Sequence, residues 1–153
     1  MSFDKLKEIG QKKKKYHTLS IVCIVPTFVT LFIWFVGAIL VKIDYTIFEK
    51  LGIAKVLCVL AIFIVSFILT AIFTAKELRY ANMIDDYIIN KVLDLITENG
   101  IESTKIKIID EKDRYKIAFH NQMVDYDTLQ RKINDLLKTL NSISNTSVVV
   151  DLI

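Results

Sequence analysis

The sequence contains one proline, four glycines and two cysteines among its 153 residues. Collagen-like and low-complexity chains are rich in glycine or proline, and small disulfide-stabilised domains are rich in cysteine, so these classes are excluded. Hydrophobic residues make up 53% of the chain, which is too apolar for an intrinsically disordered protein. The length suits one domain, or a membrane anchor with a small domain attached.

Sequence motifs of common enzyme active sites are also missing. The chain has no Walker-type phosphate loop, no GxGxxG, no GxSxG and no HExxH. His17 and His120 are its only histidines, and Cys23 and Cys58 fall in or beside apolar stretches, so no zinc site is expected. We therefore expect no enzymatic activity, no cofactor and no small-molecule substrate.

Two long apolar stretches without charge, residues 18–41 and 56–75, dominate the N-terminal half. At about 1.5 Å per residue, helices of 24 and 20 residues reach about 36 Å and 30 Å, which matches a hydrocarbon core of about 30 Å. The absence of ionisable residues inside them argues against a proton-coupled transporter or ion pump. We predict two transmembrane helices joined by a short external loop at residues 42–55.

Positive charge is concentrated on the outer flanks of these stretches. Residues 1–17 carry six lysines against two carboxylates, a net charge of +4, whereas the loop at 42–55 has a net charge of only +1. Lys76 and Arg79 directly follow the second stretch. The positive-inside rule then predicts a multi-pass plasma-membrane protein with both termini in the cytoplasm.

The N-terminal segment has a basic run with two interpretations. The run consists of Lys12, Lys13, Lys14 and Lys15. It can act as a topology determinant, or it can recruit anionic lipid of the bilayer. Upstream apolar residues at helical spacing (Phe3, Leu6 and Ile9) could lay a short helix on the inner leaflet. The run is short and adjoins a predicted membrane span, so we expect no nucleic-acid binding.

Small and hydroxylated residues recur along both apolar stretches. The first stretch has Ser20, Cys23, Thr27, Thr30 and Gly37 at heptad-like spacing, and the second has Ala54, Cys58, Ser66, Thr70 and Thr74 on one i+4 line. Such residues let transmembrane helices approach and hydrogen-bond. We expect the two lines to face each other in one hairpin, with the closest approach at Gly37. Oligomerisation around a narrow polar path is the alternative.

Residues 76–153 predict a small cytoplasmic α+β domain of order αββαβ. Apolar residues recur at helical spacing from Ala81 to Leu95, and no glycine or proline occurs between Gly52 and Gly100, so one helix should continue out of the second stretch. The remainder predicts strands at 104–110, 115–120 and 146–153, with a helix capped by Asp125 before the last strand.

We expect the sheet order 2-1-3, with the first strand central. The predicted core side consists of Ile106, Ile108, Ile117, Phe119, Val148, Val150 and Leu152. The opposite face would carry Lys105, Lys107, Lys116 and His120, with Asp151. This face is expected to be solvated, or to dock an acidic partner or the inner leaflet. An RNA-binding sheet would need exposed aromatic residues there.

The order αββαβ resembles, in topology alone, small domains beside membrane anchors in ring-building and envelope-assembly proteins. We expect a non-enzymatic, membrane-anchored module that binds a protein partner or itself. It would be either a scaffold subunit of a bacterial envelope machine or an immunity factor against a membrane-acting toxin. The bacterial source is suggested by 17 lysines against 3 arginines, a bias typical of AT-rich genomes. The alternative is an oligomeric pore-forming or membrane-perturbing effector gated by its cytoplasmic domain.

Overall fold

A computed structural model describes residues 2–43, 46, 52–102, 106–111, 114–119 and 125–153. Its elements are helix α1 (Phe3–Ile43), helix α2 (Ile53–Glu98), strand β1 (Lys107–Glu111), strand β2 (Arg114–Ala118), helix α3 (Tyr126–Ser144) and strand β3 (Val149–Leu152). Helices α1 and α2 are long and apolar enough to cross a membrane. The chain divides into two compact units: Lys13–Leu78, and Met1–Lys12 together with Arg79–Ile153.

Helix α2 confirms the prediction of one continuous helix between two glycines. Gly52 precedes it with φ +75° and Gly100 follows it with φ +89°. Only glycine adopts such positive φ values without a steric cost from a Cβ, so both residues suit the ends of the helix. Most of the predicted external loop, residues 44–45 and 47–51, lies outside the described residues.

The unit Lys13–Leu78 is an antiparallel pair formed by parts of α1 and α2. At one end Tyr16 and Phe73 have ring centroids 6.1 Å apart, and His17 Nδ1 lies 2.8 Å from Glu77 Oε1. At the other end, residues 33–41 of α1 and 55–59 of α2 line a common cavity. Most large apolar side chains on both helices point away from the partner helix and are exposed.

The predicted line of small residues on α2 is partly wrong. Ser66 is buried and Thr70 is half-buried, but Ala54, Cys58 and Thr74 are exposed. A helix has 3.6 residues per turn, so an i+4 line rotates by about 40° at each step and leaves the interface within a few turns. The heptad-like line on α1 drifts less, and its five members are all buried or half-buried.

The second unit contains a three-stranded sheet of order β1-β2-β3. Strands β1 and β2 are antiparallel with Ile108 opposite Ile117, and β2 and β3 are parallel with Tyr115 opposite Val150. The expected order 2-1-3 is therefore wrong, because the central strand is β2. Ile108 sits on an edge strand and is 41% exposed, so its predicted place in the core is also wrong.

Helices from both ends of the chain complete the core of this unit. Ile117, Phe119, Val148 and Val150 confirm the predicted core side of the sheet, and Ile106 and Leu152 are half-buried. Helix α2 contributes Ile84, Ile88, Val92 and Ile96, and α3 contributes Leu129, Ile133, Leu137 and Leu140. The N-terminal turns of α1 add Leu6 and Ile9, which are 0% and 4% exposed. These two side chains pack against protein, so the expectation that they lie on the inner leaflet is wrong.

Gly10 allows this N-terminal segment to approach α3 closely. A Cβ atom added at Gly10 would lie 2.5 Å from the carbonyl oxygen of Ser144, and 2.9 Å and 3.0 Å from its carbonyl carbon and Cα. These are backbone atoms, which cannot rotate away. Any side chain at position 10 therefore forces the N-terminal segment away from the C-terminal end of α3.

Residues flanking α3 cap both of its ends, and one side chain of α3 covers part of an edge of the sheet. Asp125 is the predicted N-cap and accepts hydrogen bonds from the Thr128 hydroxyl at 2.6 Å and from Thr128 N at 3.2 Å. The hydroxyl bond, followed by the backbone bond, lowers the pKa of the Asp125 carboxyl. Asn145 ends the helix with φ 58°. Gln130 donates to Val150 O and accepts from Leu152 N, both at 2.9 Å. Gln130 therefore occupies part of the outer edge of β3, where another strand would otherwise bind.

Candidate functional site

The predicted partner face is the side of the sheet opposite the core. Residues directly opposite in neighbouring strands share a face, and alternate residues along a strand point to the same side. The register places Lys107, Ile109, Glu111, Arg114, Lys116, Ala118, Val149 and Asp151 on this side. We call these eight residues the open face. Of the predicted set, Lys107 and Lys116 are on it, whereas Lys105 and His120 lie outside the described residues.

The charges on the open face largely compensate each other. Lys116 Nζ lies 2.9 Å from Glu111 Oε1, and Arg114 Nε lies 3.6 Å from Asp151 Oδ2. Such exposed ion pairs contribute about 0–1 kcal/mol each, so they do little for stability, but they reduce the attraction for an acidic partner. Lys107 is exposed, and Val149 is 40% exposed beside these pairs. The open face therefore suits a partner with both apolar and charged groups better than a purely acidic one.

Tyr115 lies on the core side of β2, close to acidic residues of α2. Its hydroxyl donates to Asp85 Oδ2 at 3.4 Å. Burial, together with the negative charges of Asp85, Asp110 and Asp86, raises the pKa of Tyr115 to about 12. Asp85 and Asp86 of α2 thus place negative charge beside the Tyr115 hydroxyl.

We expect Tyr115→Phe to weaken the alkaline destabilisation of this unit. The pKa of Tyr115 is 10.0 in the unfolded chain and about 12 in the folded protein. Its contribution to the free energy of unfolding is therefore complete below about pH 10 and is lost as the pH rises to about 12. Unfolding by urea, followed at pH 8 and pH 11, should show a smaller pH effect in the variant. Tyr126→Phe is the control. An equal pH effect in Tyr115→Phe and wild type would contradict the assignment.

The four lysines of the basic run lie within α1 and differ in their contacts and exposure. Lys12 forms an ion pair with Glu8 Oε1 at 2.5 Å, and this hydrogen bond and charge lower the pKa of the Glu8 carboxyl. Lys13 is half-buried, and Lys14 and Lys15 are exposed. Lys14 and Lys15 are consequently the residues of the run best placed to meet an anionic surface.

The threonines of the α1 line form hydrogen bonds inside their own helix. Thr27 Oγ1 donates to Cys23 O at 3.1 Å, and Thr30 Oγ1 lies 2.8 Å from Pro26 O and 3.0 Å from Thr27 O. Thr70 on α2 likewise donates to Ser66 O at 2.8 Å. These hydroxyls pack between the helices but already have acceptors, so close packing, rather than hydrogen bonding across the pair by these groups, holds α1 against α2.

Gly37 does not have the role expected of it. A Cβ atom at this position would have no neighbouring heavy atom within 4 Å. The expectation that Gly37 permits the closest helix approach is wrong, and the close approach made by a glycine occurs instead at Gly10. The sequence carried a signal for this: glycine inside an amphipathic helix costs about 1 kcal/mol relative to alanine, which suggests a packing reason.

Within the part of the chain that the structure describes, no group of three His, Cys, Asp or Glu side chains could hold a metal ion. Cys23 is half-buried and Cys58 is exposed, both as free thiols on the apolar helices. The imidazole of His17 contacts the carboxylate of Glu77. Comparison of the chain with protein-family models, with curated proteins and with solved structures finds no match.

Proposed function

We propose that residues 18–41 and 56–75 span a membrane and anchor a non-enzymatic interaction module. The observation that carries this proposal is the exposure of the apolar helices. Only 11% of the most apolar 18-residue segment of α1, and 6% of that of α2, is buried. Phe28, Phe32, Phe35, Val65 and Phe67 are all more than half exposed. Contiguous apolar surface of this extent is rare on soluble monomers and suits hydrocarbon.

The charges flanking the helices support an orientation with both termini in the cytoplasm. Lys14 and Lys15 on α1 and Lys76 on α2 are exposed beside the apolar segments. Lys76 Nζ also lies 5.2 Å from the ring centroid of Tyr16, and aromatic and basic side chains are typical of the membrane interface.

Single cysteines test this topology. In a background with Cys23 and Cys58 replaced by serine, we expect an impermeant thiol reagent to label Thr46→Cys in intact cells, because position 46 belongs to the external connection. Ser2→Cys and Ser142→Cys should label only after the membrane is permeabilised. Labelling of position 2 or 142 in intact cells would overturn the topology.

The module is proposed to bind a protein partner, or itself, through the open face. Ile109, Ala118 and Val149 supply apolar area between the ion pairs, which is the mixture found in transient protein interfaces. Two functions are compatible with such a module. It can serve as a scaffold subunit of a bacterial envelope machine, or as an immunity factor that neutralises a membrane-acting toxin. Both need a membrane anchor and a recognition surface.

Co-purification from the native membrane tests the partner proposal. Wild-type protein, crosslinked in the membrane, should carry a defined partner, and Val149→Arg should lose at least tenfold of it. Ser142→Arg, on the exposed side of α3, is the matched control and should retain the partner. Equal recovery with both variants would remove the open face as the binding surface. Protection of cells from depolarisation by the recovered partner would favour the immunity role over the scaffold.

A pore is the competing function, and the threonine hydrogen bonds do not favour it. A water-filled path needs polar groups free to contact water or ions, whereas Thr27 and Thr30 donate to backbone carbonyls of α1. Purified protein in liposomes should therefore leave them tight to ions. Stable ion flux, suppressed by Thr27→Val and Thr30→Val together, would reverse the ranking.

A further inference from the structure

The pair of apolar helices encloses a half-open cavity next to Gly37. Its volume is about 400 Å³, within the range of small-molecule sites. Helix α1 lines it with Trp34, Gly37 and Ala38, and α2 lines it with Lys55, Val56 and Val59. All named lining side chains except Lys55 lack a charge.

The cavity exists because small residues on α1 do not fill the space opposite α2. A Cβ at Gly37 would still find no neighbour within 4 Å, so the gap is wider than one methyl group. An empty space of this size forfeits the dispersion contacts of every side chain around it. In a bilayer, where hydrocarbon chains surround the helices, the available filler is apolar and elongated.

We propose that this cavity binds one acyl chain of an anionic phospholipid, with Lys55 meeting the headgroup phosphate. The inference rests on the proposed membrane insertion of the two helices. Lysine places its aliphatic stem along apolar surface and its ammonium group in the polar interface. Lys55 lies two residues from the start of α2. A phospholipid with an acyl chain in the cavity would therefore have its headgroup phosphate beside the Lys55 ammonium group.

Charge complementarity selects this occupant over a second copy of the chain. The cavity combines an apolar lining with one lysine, which matches an amphiphile with a single apolar chain inserted and an anionic head. A helix of a second copy seated in the cavity would bring residues of its own apolar stretches, 18–41 or 56–75, which contain no carboxylate to pair with Lys55.

Trp34 is the only tryptophan of the chain and lines the cavity, so it reports directly on the occupant. The protein is reconstituted in phosphatidylcholine vesicles containing a small fraction of phospholipid with brominated chains, which quench tryptophan on contact. Brominated phosphatidylglycerol should bind with an apparent affinity about fivefold higher than brominated phosphatidylcholine, as expected for one lysine at a membrane surface.

Two substitutions test the two parts of the site. Lys55→Gln should reduce the fivefold preference to about one while leaving quenching by both lipids. Lys42→Gln is the matched control, because Lys42 is exposed in the last turn of α1 but does not line the cavity. Gly37→Leu should lower the affinity for brominated phosphatidylglycerol several-fold, since it fills the space. A preference unchanged by Lys55→Gln, or equal quenching by both lipids in wild type, would overturn the lipid site.

Other outcomes separate this inference from membrane insertion itself. Quenching by both lipids without preference leaves the membrane anchor intact and removes only the lipid site. Absence of quenching by either lipid, with protein that does not float with vesicles, would overturn the anchor. Quenching that falls as the protein-to-lipid ratio rises would show that a second copy covers Trp34 and would also overturn the lipid site.

Discussion

Gly10→Ala should destabilise the unit formed by residues 2–12 and 79–153 by about 1–3 kcal/mol, the usual cost of overpacking. In an exposed helix the same change gains about 1 kcal/mol, because alanine is the better helix former. Here the added methyl would lie 2.5 Å from the carbonyl oxygen of Ser144, so the two backbones must separate. Leu6 and Ile9 of the same segment are buried in the core, and we expect this separation to loosen their packing. Urea unfolding in mild detergent measures the loss.

Gly37→Ala is the matched control for this prediction. It is the same substitution in the same helix, but its methyl would meet no heavy atom within 4 Å. We expect it to be neutral or stabilising by up to about 1 kcal/mol. Hydrogen exchange should increase in residues 3–12 of the Gly10 variant alone. Equal stability of the two variants would show that the N-terminal segment does not pack against α3.

Ala81→Pro should have the largest effect among the variants considered, about 3 kcal/mol or more. Position 81 lies inside α2, which runs from Ile53 to Glu98. Proline removes a backbone donor and its ring clashes with the carbonyl of Glu77, which breaks the helix. The core residues Ile84 and Ile88 follow directly and should lose their packing. Limited proteolysis after residue 76 and the urea midpoint are the measurements.

Ala81→Gly provides a graded control for the proline variant. Glycine keeps the backbone donor and should cost only about 1 kcal/mol. If the proline variant matched wild type in both proteolysis and urea midpoint, the junction between the apolar and polar parts of α2 would be a flexible linker in solution, contrary to the continuous helix.

Local chemistry made several elements predictable from the sequence. The long uncharged runs, the two glycines around α2 and the Asp125 cap each act within a few residues, and all three appear as expected. The core side of β2 was also predictable, since Ile117 and Phe119 alternate with polar residues. Each of these features depends on neighbours in sequence and needs no knowledge of the rest of the fold.

Features decided by distant residues were not predictable in the same way. Whether β3 pairs with β1 or β2 depends on how the helices cover the sheet, although three charged residues among the five of β1 are typical of an edge strand. Leu6 and Ile9 could face lipid or protein equally well by their spacing alone. Only the position of α3 shows that protein is their partner.

The candidate site was predicted in part. Lys107 and Lys116 lie on the expected side of the sheet, but the ion pair of Lys116 with Glu111 depends on the register between β1 and β2. The ion pair between Arg114 and Asp151 likewise depends on the parallel pairing of β3 with β2. The cavity beside Gly37 had no sequence signal other than two adjacent small residues, because its size depends on the distance between two helices.

The packing of Gly10 against Ser144 has a consequence for biosynthesis. The ribosome adds about 5–20 residues per second, so the 134 residues that separate these positions take roughly 7–27 seconds to make. Throughout that time Leu6 and Ile9 have no α3 to cover them, and both apolar stretches emerge before it. The N-terminal turns of α1 therefore complete their packing only after both apolar stretches and α3 have left the exit tunnel.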